Sequence, residues 1–89
     1  MAYYVYIIQS SVNEHFYKGF SENPLQRIIQ HNAGQTSSTR HLVPWKLIYV
    51  EELLSKKEAL IREKNLKKAT RERIIALISS PKNIISKFT

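Results

Sequence analysis

No cysteine and no aspartate occur among the 89 residues. Without thiols there is no disulfide framework and no thiolate metal site, which suits a reducing cytosol, the compartment expected here. All seven acids are therefore Glu, set against fourteen Lys or Arg for a formal charge of +7. Long hydrophobic runs are lacking too. The longest, Met1–Ile8, is too short to span a bilayer, and it has neither the basic lead-in nor the cleavage site of a signal peptide. No membrane association is expected. No internal repeat, low-complexity segment or linker is visible. Hydrophobic types nevertheless make up 43% of the chain, too many for a disordered basic tail. One small domain fits this length, and its core must be modest.

The excess charge is concentrated. Residues 56–73 hold eight bases against the three acids Glu58, Glu63 and Glu72. Such a stripe suits a phosphate backbone, and a nucleic acid is the expected partner. Its plain alternative is a solvated helix face.

Tyr3–Gln9 reads as a first strand, rich in the β-favouring types Tyr, Val and Ile. Alternation puts Tyr4, Tyr6 and Ile8 on one face and Val5 and Ile7 on the other. A polar loop over 10–14 leads to a second strand, His15–Phe20, with Tyr17 and Gly19 sharing a face. Asn23-Pro24 opens a helix in which Leu25, Ile28, Ile29 and Asn32 follow helical spacing, and Gly34 stops it. Residues 34–43 form a polar loop. Trp45–Glu51 reads as a third strand with Pro44 at its start. Ser55-x-x-Glu58 is a capping-box pattern for a second helix reaching about Lys68. Thr70 caps a third, with Ile74, Ile75, Leu77 and Ile78 on its apolar side. The predicted class is α+β: a small three-stranded antiparallel sheet flanked by helices in the order β-β-α-β-α-α. Residues 1–79 form the domain and 80–89 a C-terminal tail, either frayed or a short extra helix.

Four groups of residues could carry chemistry. Tyr6 and Tyr17 can lie on one side of the hairpin, as site residues or as packing. Arg27 and His31, four apart, stack on one helix face; they offer a fork of phosphate donors and a proton carrier, or simply two exposed polar groups. Glu63 shares a stripe with Ala59 and Leu66 that faces inward. A half-buried carboxylate needs a partner, which spacing makes Lys67 or, alternatively, a hard cation such as Mg²⁺ or Mn²⁺. Arg40 and the hydroxyls of Thr36, Ser37, Ser38 and Thr39 could touch phosphates.

Tyr4-Val5-Tyr6, followed across a short loop by Tyr17-Lys18-Gly19, resembles the paired signature of the GIY-YIG nuclease superfamily. Arg27 and His31 fall where that family has its helical Arg and, in many members, a His. Glu58-Ala59-Leu60-Ile61-Arg62-Glu63 is similar to the segment that carries the family's Glu. Thr39-Arg40, Pro44, Leu47, Tyr49 and Glu51 are similar to the stretch before it in small members. The likeness runs from Tyr3 to about Ile78 and is closest to stand-alone bacterial members. Tyr4, Val5 and Lys18 depart from the name motif, and Phe20 stands where many members have a polar residue. Homing and repair members place an Asn well beyond the Glu; Asn65 lies too close to Glu63 to match it.

The resemblance implies an endonuclease that hydrolyses DNA phosphodiester bonds at one divalent cation, Mg²⁺ or Mn²⁺, held by Glu63. Arg27 would stabilise transition-state charge. Tyr6 would take the proton from water, with Tyr17 lining the pocket and His31 accepting or relaying the proton; the base is left open among these three. Arg40, Lys64, Lys67 and Lys68 would bind the nucleic acid backbone, so little sequence specificity is expected. Its rivals are a binding module of the same fold with little turnover and a basic protein-interaction or ribosome-associated domain.

Overall fold

A computed structural model describes residues 2–88. Met1 and Thr89, the outer ends of the expected domain and tail, lie outside them. The elements are β1 (Tyr3–Ser10), β2 (Phe16–Ser21), α1 (Pro24–Asn32), β3 (Trp45–Leu53), α2 (Lys56–Lys67) and α3 (Arg71–Ile78), with single-turn 3-10 helices at Arg40–Leu42 and Ile85–Lys87. The strands form one antiparallel sheet in the order β2-β1-β3. This is the α+β arrangement expected from the sequence.

Strand β1 runs through the middle and is covered on both faces, which is why Val5–Ile8 is an unbroken run of apolar and aromatic residues rather than an apolar/polar alternation. On one face Val5 and Ile7 pack with Tyr49 and with Ala59, Leu66, Ile74 and Leu77 from α2 and α3. On the other, Tyr6 and Ile8 pack with Trp45, Leu47 and Val50, beneath Ile28 of α1 and the C-terminal Ile84, Ile85 and Phe88. A register shift between Ile7 and Ile8 pairs Ile7 with Tyr49 but Ile8 with Leu47. The extra residue, Ile48, breaks the two-residue alternation of β3. Tyr49 therefore turns toward α2, while Leu47 and Trp45 turn toward α1.

The helix starts follow the expected chemistry. The side chains of Asn23, Ser55 and Thr70 accept from the amides of Gln26, Glu58 and Arg73, satisfying donors that the first turn of each helix leaves orphaned. Glu58 reaches back to the amide of Leu54 at 3.2 Å, one residue before the capping Ser55. Ala59 and Leu66 form the buried line of α2.

Helix α1 departs from the simple apolar pattern. Leu25 and Ile29 are 43% and 68% exposed, whereas His31 is completely buried. Its inward line is Pro24, Ile28 and His31, so the plain alternative of an exposed His31 does not hold.

The C-terminal segment is docked. The Asn83 amide donates to the carbonyls of Ile48 and Ile78, its side-chain oxygen accepts from the amide of Val50, and the amide of Ile84 donates to the carbonyl of Val50. These bonds cover the outer edge of β3 at its middle.

Candidate active site

The site forms where α1 and β2 meet over the α1 side of the sheet. Tyr6 sits on central β1, opposite Gly19 of β2, and its ring crosses that residue. A Cβ at Gly19 would lie 2.6 Å from the Tyr6 hydroxyl. Only the absence of a side chain lets the phenol extend over the strand. Tyr17, two residues earlier on β2, points to the same face. Its ring centroid lies 5.0 Å from that of His31 and 6.4 Å from that of Trp45.

His31 links the strands to the loop. Its Nε2 lies 2.8 Å from the Tyr6 hydroxyl and its Nδ1 2.8 Å from Oγ1 of Thr39. The Thr39 hydroxyl donates to the carbonyl of Thr36 at 3.4 Å, which leaves its oxygen to accept from Nδ1–H. The network thereby assigns the neutral tautomer in which Nε2 accepts from Tyr6. Burial pushes the His31 pKa down to about 4, and the neighbouring Arg27 charge adds to this. Burial raises the Tyr6 pKa. Arg27 opposes that rise as a nearby donor and as a charge, while Tyr17 and Glu63 reinforce it. Arg27 and Glu63 thus both act on the Tyr6 oxygen, one from α1 and the other from α2.

The remaining expected residues lie on α1, on α2 or its C-terminal cap, and in the 33–44 loop. Arg27 is half-buried and donates from one terminal nitrogen to Gln30 Oε1 at 2.9 Å. The Glu63 side chain is 17% exposed, and its ion pair with Lys67 spans a loose 3.8 Å. Arg40, Lys64, Lys67 and Lys68 are exposed; Arg40 follows Thr39 directly, and the three lysines lie on α2 and at its C-terminal cap. Thr39 is fully buried with its hydroxyl committed to His31, so it is withdrawn from the expected phosphate contacts. Asn65 is exposed and lines a surface groove with Glu52, Glu58 and Arg62.

Several supporting residues escaped sequence reasoning. Asn32 clamps the start of β3, accepting from the Trp45 amide at 2.6 Å and donating to its carbonyl at 2.9 Å. The Trp45 indole donates to the carbonyl of Thr39 at 2.8 Å. Together they hold the 33–44 loop so that Thr39 meets His31. A Thr in a polar loop or an Asn at a helix end carries no local sign of such a role.

Among the described residues, no three His, Cys, Asp or Glu side chains cluster as a ready metal cage. A single half-buried carboxylate such as Glu63 would suit a hard cation that keeps most of its waters. Its weak tie to Lys67 leaves carboxylate oxygen free for that role.

A model of the GIY-YIG catalytic domain matches residues 2–75. The chain belongs to the GIY-YIG family. GIY-YIG relatives include a UPF0213 protein of Clostridium perfringens, 42% identical over 78 residues that cover 86% of this chain and 83% of that one. Another, from Natronomonas pharaonis, is 36% identical over 83% of this chain and 91% of its own. The solution NMR structure of a UPF0213 protein from Bacillus halodurans superposes with a TM-score of 0.59 at 28% identity, covering 100% of this chain and 95% of that one. GIY-YIG domains are nuclease domains, which implies a nucleic acid substrate. No described helix is long and apolar enough to cross a membrane.

Proposed function

We propose that this protein is a divalent-metal-dependent endonuclease that hydrolyses DNA phosphodiester bonds with little sequence preference. The observation that carries this reading is the Tyr6–His31–Thr39 chain, with 2.8 Å at each link, with Arg27 one turn before His31 on α1.

Tyr6 is the general base. As its oxygen takes a proton from the attacking water, its own proton passes to Nε2 of His31, and Thr39 holds the resulting imidazolium through Nδ1–H. Burial and Arg27 keep His31 neutral beforehand, so that Nε2 is free to accept. An incoming phosphate brings negative charge that offsets Arg27 and favours the protonated ring. Arg27 offers its planar fork to the phosphate and stabilises the charge that builds during attack. Tyr17 walls the pocket and orients the His31 ring. Glu63 would hold Mg²⁺ or Mn²⁺, which supplies charge neutralisation at the phosphate and the departing oxygen. Arg40, Lys64, Lys67 and Lys68 contact the backbone without reading bases.

The test is cleavage of plasmid and branched DNA in Mg²⁺, Mn²⁺ or EDTA, beside Glu63→Gln and Arg27→Ala. Metal-dependent cutting lost in both variants, with EDTA-resistant DNA binding kept by Glu63→Gln, supports the nuclease. DNA binding without turnover in any metal leaves a binding module of the same fold. Equal cutting by all three proteins refutes the assignment.

A further inference from the structure

Helix α2 is weakly anchored for an element that presents Glu63. Its only fully buried side chains are Ala59 and Leu66, which form one line along the helix. At 3.6 residues per turn, Arg62 and Glu63 flank that line by about 50° on either side. A helix seated on a single line can roll about its axis. With side chains about 5–6 Å from the axis, a 10° roll shifts the Glu63 carboxylate by about 1 Å. Displacements of this size matter to a site that works by positioning.

The opposite flank is tied. Arg62 Nε donates to Glu51 Oε1 at 3.0 Å, and the Tyr49 hydroxyl donates to the same oxygen at 2.6 Å. The Glu51 and Arg62 side chains are only 16% and 20% exposed. The bulge at Ile48 turns Tyr49, and with it Glu51, to this face of the sheet. Arg62 Nη2 is buried and makes no hydrogen bond among the described residues. A half-satisfied buried ion pair contributes little net stability, so holding a geometry is the stronger account of its presence.

We propose that Tyr49, Glu51 and Arg62 are positioning residues: they fix the roll of α2 and so the placement of the Glu63 carboxylate. This rests on the reading of Glu63 as the cation ligand. Arg62 and Glu63, adjacent in sequence, work as two ends of one lever, one bolted to β3 and the other on the opposite flank of the buried line.

The experiment measures Mn²⁺ binding to the full chain by paramagnetic broadening of the backbone amide signals around Glu63. In the wild type, saturable broadening is expected there and is abolished by Glu63→Gln. Tyr49→Phe and Glu51→Gln should each need about tenfold more Mn²⁺, the low end of what loss of a residue that orients a ligand costs, with DNA affinity in EDTA unchanged. Leu77→Ala, which destabilises the same hydrophobic cluster from α3, should lower Tm without altering Mn²⁺ affinity. Unchanged Mn²⁺ affinity in folded Tyr49→Phe overturns the proposal. So does an equal loss in Leu77→Ala, which would make the effect one of general stability. Should Glu51→Gln fail to fold, Tyr49→Phe, which lacks one hydroxyl, decides alone. Absence of Glu63-dependent broadening in the wild type defeats the cation assignment itself and is visible before any cluster variant is made.

Discussion

The Tyr6 hydroxyl and His31 Nε2 lie 2.8 Å apart although 25 residues separate them in sequence. One comes from the central strand and the other from the buried side of α1. The contact gives the buried phenol a direct proton acceptor. Tyr6→Phe should therefore lower the cleavage rate by at least 100-fold, within the range that general bases contribute. It also strands a buried imidazole acceptor, at about 1–3 kcal/mol of stability. Single-turnover kinetics and thermal melts measure the two effects separately.

His31 should make the fold acid-sensitive. Its folded pKa of about 4 lies below the ordinary 6.5, so the unfolded chain binds more protons throughout that window. Stability then falls as pH drops from 6.5 toward 4, by roughly 2 kcal/mol between pH 7 and pH 5. His31→Gln should flatten this part of the curve. Urea titrations of both proteins at the two pH values measure the difference; parallel losses would show that another group is responsible.

Gly19 should resist even a methyl group. A Cβ there would stand 2.6 Å from the Tyr6 oxygen and 2.7 Å from its ring carbon Cζ, so the phenol would have to move. Gly19→Ala is expected to cost about 1–3 kcal/mol and to reduce cleavage about as severely as Tyr6→Phe. Chemical denaturation and activity assays check both, and a fully active Gly19→Ala would show that the phenol can be displaced without harm.

Neutralising Lys64, Lys67 and Lys68 together should weaken DNA binding equally across sequences. If all three touch phosphates, the slope of log affinity against log salt should fall by about 0.9 for each contact removed. Fluorescence anisotropy in EDTA over a salt series reads the slope. An unchanged slope would place the backbone elsewhere on the surface.

The elements were legible because local chemistry and packing agree. Asn23-Pro24, Ser55 and Thr70 begin helices where they should, and the inward line of Ala59 and Leu66 brought Glu63 with it. That Tyr6 and Tyr17 share a face of the sheet followed from strand alternation. Helix α1 was harder to read. Its leucine and one isoleucine point outward while a histidine points in, because Tyr6 and Thr39 satisfy both ring nitrogens. Those partners come from distant segments, and nothing in the spacing of Arg27 and His31 announces them. The bulge at Ile48 also lacks a local signal, since each residue around it suits a strand equally well. The C-terminal residues were ambiguous for a related reason: Asn83 is fixed by backbone groups of β3 and α3 that no sequence window around it contains.

The two hydrophobic clusters divide the labour of the site between opposite sides of a three-stranded wall. Tyr6 and His31 are seated on the α1 side, while Glu63 is carried by the helix packed on the other. Each half can therefore drift without repacking its counterpart. Loss of the proposed tyrosine–histidine chemistry would leave the α2 layer and its lysines in place.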